Sequence, residues 1–270
     1  KKHVKAKKNS GGISIFIRET LTKYITEIKS KSRNILWLHI NFKKLHAKFN
    51  LLLGVIYVSP ESSPIHAEEN IFQILTDDLL RLKAKYTDVK TLITGDFNAY
   101  TACESDFLDN ALDKWDVFHE HQDDNIELPK RYNSDIRDIN KQGRELLNVC
   151  INMNMCIANG RIGLDKQIGD FTCYFRKYPS VIDYVICDTD FLSCFKDFYI
   201  ANRMESHHLP ICFTLEIGRK TMHENKKIQD CSLKRYRFKE NAVQEFLEKF
   251  QNQNLNYIQE LLNADAWEQA

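Results

Sequence analysis

The chain has 270 residues, 43% of them hydrophobic and 28% charged, with a formal net charge of +1 at pH 7. These proportions fit one substantial globular domain with an appendage and exclude a collagen-like or disordered chain. The near-neutral balance supplies no long-range steering toward nucleic acid, so any such case must be local, and no apolar run is long enough to span a bilayer.

Eight cysteines, at 103, 150, 156, 173, 187, 194, 212 and 231, include no C-x-x-C pair. Neither a zinc site nor a dense disulfide framework is indicated, and free thiols of a reducing compartment are expected. The sequence opens on Lys1 and runs straight into KKHVKAKKNSGG. It reads as a piece of a longer chain, in which any targeting segment would have come earlier.

In chain order, GGISIFIRE at 11–19 sets Ile13, Ile15 and Ile17 at a spacing of two, which predicts a strand with one buried face. NILWLHINF and FNLLLGVIYVS predict two more, joined by the polar KKLHAK as a hairpin connection. Beyond Pro64, the residues Ile71, Phe72, Leu75, Leu79, Leu82 and Tyr86 fall at helical spacing, an amphipathic helix lying on a sheet. TLITGDFNA is then a short, nearly all-apolar strand, of the kind covered on both faces.

Residues 101–140 are polar and aromatic without a period and read as surface loops. GRELLNVCINMN returns to helical spacing, followed by strand-like MCIANG, FTCYF, VIDYVICD, FKDFYIAN and PICFTLEI. Hairpins with a few helices between them suggest packed sheets covered by helices. The composition changes past Gly218. A main domain is expected over 1–218, a basic linker over 219–236 and a helical connector, too short for its own core, over 237–270.

Four stretches carry chemistry. In GDFN, residues i and i+2 of an extended strand share a face, so Asp96 and Asn98 would emerge together while Phe97 turns to the core. Gly95 would let the backbone pass closely as the strand ends. Asp and Asn are also ordinary turn formers at strand ends, and that reading stays open on this motif alone. YPSVIDYVICD places Ser180 and Asp183 at the entrance to a core strand, ESHHLP places His207 and His208 just before another, and GVIYVSP sets Tyr57 near the end of a third. Tyr57 can equally be a packing tyrosine and Ser180 a turn residue. His207, His208 and Glu205 do not make a convincing metal cluster, because adjacent residues on an extended chain point apart.

In this order GDFN, S-x-I-D-Y and H-x-P resemble the DNase I-like endonuclease/exonuclease/phosphatase superfamily, over roughly residues 10 to 217. This group of metal-dependent phosphoesterases includes apurinic/apyrimidinic endonucleases and the endonuclease domains of non-LTR retrotransposons. The resemblance implies an α/β (α+β) fold, a four-layer sandwich of two mixed β-sheets flanked by helices, here lacking the first strands and extended by C-terminal helices. It implies that Asp96 positions or deprotonates the attacking water, that Asn98 and Tyr57 bind the scissile phosphate, and that Asp183 holds His208, which donates to a nonbridging oxygen. Thr172 and Ser180 would contact substrate, and Mg2+ would be the cofactor.

Two departures weaken the metal site. Family members carry an Asn and a magnesium-binding Glu on strands before the region matching GGISIFI, and this sequence starts after them. The family pattern S-D-H-x-P is here SHHLP, so His207 replaces a carboxylate, and an imidazole suits magnesium poorly. The reading is therefore a DNA endonuclease domain of a retrotransposon polyprotein, impaired, with DNA as partner, a reverse transcriptase downstream and an intracellular, nuclear location. A noncatalytic nucleic-acid-binding remnant and a phosphatase of the same superfamily are the alternatives.

Overall fold

The computed structural model describes residues 12–45, 47, 49–61, 63, 69–107, 128–175, 178–202 and 205–217. The expected basic linker and helical connector, and much of the loop region before residue 128, lie outside them.

Strands β1 (Ile25–Ile28), β2 (Ile35–Ile40), β3 (Asn50–Tyr57), β4 (Val89–Asp96), β5 (Met155–Ile157) and β6 (Asp183–Asp188) form one mixed sheet in the order β1-β2-β3-β4-β6-β5. A second, antiparallel sheet pairs β7 (Phe195–Ile200) with β8 (Ile211–Leu215). The helices are a single turn, α1 (Glu19–Thr22), then α2 (Ile71–Lys85) and α3 (Lys141–Met153). The α2 helix starts where Asn70 Oδ1 accepts the Gln73 N–H. The α3 helix starts at Asn140 in the same way and stops at Asn154, whose left-handed φ of 51° ends the ladder.

Strand alternation sorts the core onto the two faces of the large sheet. Leu52, Ile56, Ile93, Tyr184 and Ile186 pack with Leu75, Leu79 and Leu82 of α2 and Leu146 and Cys150 of α3. Leu51, Leu92, Val185 and Cys187 pack on the other face with Phe198 and Ile200 of β7, and Phe213 of β8 lies against them. The result is α/β: helices, a large mixed sheet and a second sheet packed on it. Each fully buried Leu or Ile is worth roughly 1.5–3 kcal/mol, so β4, lined on both sides, is among the most firmly anchored strands. All cysteines among the described residues are free.

Three elements differ from expectation. Gly12–Ile17 runs extended, with Ile13, Ile15 and Ile17 half-buried, but it joins no ladder among the described residues, and Phe16 is 97% exposed. A strand is completed by a neighbour's N–H and C=O groups, and alternation alone does not provide them. The first paired strand is instead β1, whose polar sequence ITEI and edge position hid it. FTCYF is not a strand; it makes isolated bridges from Cys173 to Ser180 and to His208. These bridges prove central to the site.

Candidate active site

Three strand termini meet at one edge of the large sheet. Parallel pairing of β3 with β4 sets Tyr57 beside Asp96 at their carboxyl ends. Antiparallel pairing of β4 with β6 sets Asp183, the first residue of β6, opposite the same Asp96. His208 arrives through the FTCYF segment: Tyr174 N–H donates to the His207 carbonyl (2.7 Å), and Leu209 N–H donates to the Thr172 carbonyl (2.7 Å). The other side of that segment is tied to Ser180, whose N–H donates to the Cys173 carbonyl (2.8 Å).

This weave brings the His208 imidazole onto Asp183. Nδ1 of His208 lies 3.0 and 2.9 Å from the two carboxylate oxygens. Atoms of Asp96, Asp183 and His208 that could bind a metal all lie within 4.8 Å of one another. Asn98 reaches the group by a turn rather than by strand alternation. It takes a left-handed φ of 47°, its N–H donates to Asp96 Oδ1 (3.0 Å), and its side-chain amide donates to the Val58 carbonyl (2.8 Å). Phe97, between them, is fully buried, as the sequence predicts. Gly95, at φ 149°, lies so close to β3 that a Cβ there would sit 1.9 Å from the Ile56 carbonyl oxygen.

The electrostatics follow from this crowding. Burial, and then the neighbouring charge of Asp183, raise the Asp96 pKa to about 6, against the opposing pull of the Asn98 N–H and of His208. The hydrogen bond to Asp183 raises His208 above its ordinary value in spite of partial burial. Tyr57 is pushed up by burial and then by Asp96, which keeps its hydroxyl protonated as a donor. The edge therefore combines a carboxylate with a raised pKa, an imidazole whose protonated form is favoured by its hydrogen bond to Asp183, and a phenol.

Thr172 and Ser180 stand behind this edge rather than on it. The Thr172 hydroxyl is fully buried and accepts the N–H groups of Ile182 (3.1 Å) and Asp183 (3.0 Å), so it aims β6. Ser180 is buried, with its backbone in the bridge and its side chain on the Cys173 thiol. Both side chains are thus engaged inside the scaffold. His207 is exposed and meets Phe175 edge-on, with ring centroids 5.3 Å apart, and it is not one of the clustered metal-binding groups Asp96, Asp183 and His208.

Among the described residues, Asp96, Asp183 and His208 form a group that could hold a metal. Two carboxylates and one imidazole suit a divalent cation, with Mn2+ or Zn2+ tolerating the nitrogen better than Mg2+ does. Two supports went unread in the sequence. The Tyr184 hydroxyl, within the S-x-I-D-Y motif, lies 2.7 Å from the Val181 carbonyl and 3.0 Å from that of Ala99, tying the two site loops together. Asp135 accepts the Val181 N–H (3.1 Å) and pairs with Arg137, which stacks over Tyr100 at 4.1 Å. Tyr184 was legible as part of its motif, whereas Asp135 lies in an aperiodic stretch that gives no signal.

With two packed sheets and a carboxylate–histidine cluster at one strand edge, the class is an α/β protein with a built polar centre. No family model matches the sequence, and no curated protein is similar to it. Among solved structures the chain is similar to the endonuclease domain of TRAS1, a telomere-specific non-LTR retrotransposon, at 15% identity and a TM-score of 0.45, covering 71% of this chain and 68% of that one. It is similar to the 3'-5' exonuclease NExo of Neisseria meningitidis at 16% identity and a TM-score of 0.43, covering 68% and 66%. It is also similar to the AP endonuclease LMAP of Leishmania major at 12% identity and a TM-score of 0.44, covering 68% of this chain and 54% of that one. The chain thus spans about two thirds of the first two and just over half of the third.

Proposed function

We propose that this chain is a metal-dependent phosphodiester hydrolase domain acting on DNA, the endonuclease module of a non-LTR retrotransposon polyprotein with a reverse transcriptase downstream. One observation carries the hydrolase reading: Asp96, Asp183 and His208 converge within 4.8 Å at the strand edge that also presents Tyr57 and Asn98. The order of GDFN, S-x-I-D-Y and H-x-P, and the basic composition past Gly218, support the retrotransposon assignment.

Asp96, with its raised pKa, takes the proton from an attacking water as that oxygen bonds to phosphorus and the P–O bond to the leaving strand breaks. His208, kept cationic by Asp183, donates to a nonbridging oxygen, and the Tyr57 hydroxyl and the second amide hydrogen of Asn98 meet the same developing charge. A divalent cation held by Asp96 and Asp183, Mg2+ by resemblance, would add Lewis-acid stabilisation of the phosphate. His207 contributes no carboxylate, so weak activity is expected.

The test is nicking of supercoiled plasmid with and without divalent metal. Slow metal-dependent nicking that falls roughly a hundredfold to ten-thousandfold in Asp96→Asn and His208→Ala supports the reading. Salt-dependent DNA binding with no cleavage in any metal would replace it with a noncatalytic module. Turnover of a soluble phosphomonoester alone would replace it with a phosphatase.

A further inference from the structure

Asn140 does more than begin a helix. Its Oδ1 accepts the Gly143 N–H (2.7 Å), the ordinary N-cap bond of α3. The same oxygen accepts the Tyr100 N–H (3.0 Å), while Nδ2 donates to the Asn98 carbonyl (3.0 Å). The Asn140 N–H donates to the Tyr100 carbonyl (3.3 Å). Asn140 thus pairs with the 98–100 backbone much as a neighbouring strand would. A Cβ on Gly143 would come within 1.9 Å of the Tyr100 carbonyl oxygen, so the first turn of α3 abuts this loop directly. One position earlier in the same turn, the buried Gln142 donates to the Ser59 carbonyl (2.6 Å), in the loop that follows Tyr57.

A helix cap needs only an acceptor, and Asp or Ser serves as well as Asn. The donor half of the Asn140 amide therefore has a separate task. Asn98 stands in the left-handed region, φ 47°, with its N–H on Asp96 Oδ1. We propose that Asn140 is a positioning residue, which through its bonds to the Asn98 carbonyl and the Tyr100 N–H clamps the 98–100 loop so that Asn98 and Asp96 keep their mutual geometry. Its effect on catalysis rests on the hydrolase reading above, whereas its effect on the loop does not.

Asn140→Asp separates the two tasks. The carboxylate still caps α3 and still accepts from Gly143 and Tyr100, but it offers no hydrogen to the Asn98 carbonyl and sets two oxygens against each other. The melting temperature should stay within about 2 °C of the parent, since Asp and Asn cap equally well. Hydrogen exchange of the Asn98 amide, followed by NMR, should quicken at least about tenfold as the loop opens locally. In the nicking assay kcat should fall about tenfold or more with KM within about twofold, as expected for a misplaced reacting group. Asn140→Ser, which keeps the cap and loses the clamp, should reproduce both effects if the carboxylate variant folds poorly. Unchanged Asn98 exchange together with kcat within about twofold of the parent would reduce Asn140 to a helix cap and overturn the proposal. If the parent chain cleaves no DNA, the hydrolase reading fails, and amide exchange alone decides whether Asn140 positions the loop.

Discussion

Asp96 and Asp183 occupy one rung of the β4–β6 ladder, two carboxylates opposed across the pair with the His208 imidazole against one of them. Directly opposed like charges destabilise a sheet. The arrangement persists because the flanking strands are anchored by core on both faces, and it leaves a local cost that substitution should relieve.

Asp96→Asn should therefore make the metal-free protein more stable near neutral pH while removing activity. The Asp96 pKa is raised from 3.8 to about 6, so the folded state binds the proton more tightly than the unfolded chain does. Its contribution is fully present below about pH 4 and is lost as the pH rises through about 6. The amide keeps the acceptor for the Asn98 N–H and carries no charge, so the gain should be on the order of 1–3 kcal/mol at pH 7.5 and fade toward pH 4. Urea unfolding in chelator at the two pH values checks this, and equal stability of parent and variant at pH 7.5 would refute it.

His208 should titrate above an ordinary histidine, and Asp183 should be the reason. In Asp183→Asn its pKa, read from the imidazole proton shifts, should fall toward the unperturbed 6.5. The stabilisation linked to His208 is present below 6.5 and disappears as the pH rises through its raised value, so the variant should lose most stability on the acid side of that window. With His208 deprotonating above its ordinary value, the cleavage rate should fall as the pH rises past that raised value. Asp183→Asn should pull the alkaline limb downward.

The Arg161–Asp106 pair tests the scaffold apart from the site. Both side chains are essentially fully buried, with Arg161 Nη1 2.7 Å and Nη2 2.5 Å from the carboxylate, which also accepts the Ile157 N–H. Asp106→Ala strands a buried guanidinium and should cost about 3–5 kcal/mol, or roughly 10 °C in melting temperature. Adding Arg161→Met should restore part of the loss, and a single variant that melts with the parent would contradict this account.

Phe16 marks an association hazard. It is 97% exposed in the uncharged run Ile13–Ile17, which is extended yet joins no ladder among the described residues. Such a segment offers unpaired backbone and an apolar side chain to a second molecule. Light scattering should show concentration-dependent association that Phe16→Lys reduces, and equal association by both would place the cause elsewhere.

Much of the architecture was legible because it is written in periodicity. β2, β3 and β4 and both long helices announce themselves by spacing, and the two-sided burial of β4 follows from its apolar run. What escaped was partnership. GGISIFI has the pattern of a strand without the pairing, ITEI has the pairing without the pattern, and FTCYF earns its importance from contacts with Ser180 and His208 far along the chain. The same divide runs through the site. The geometry joining Asp96, Asp183 and His208 could be expected from motif order, but Asn98 reaches Asp96 through a left-handed turn rather than by alternation. Thr172 reads as a substrate contact by resemblance, and its hydroxyl is a buried bracket for two backbone N–H groups. Buried hydrogen-bond roles of this kind depend on tertiary neighbours, which no local window contains.

The strand order has a consequence for timing. β3 and β4 are parallel and near in sequence, so Tyr57, Asp96 and Asn98 can be set by the first part of the chain. Their partner β6 and the His208 segment follow only after α3 and β5 have been made. During synthesis the chain thus carries Tyr57, Asp96 and Asn98 for a long interval before Asp183 and His208 have been made. The cluster of Asp96, Asp183 and His208 is therefore complete only once segments far apart along the chain have met.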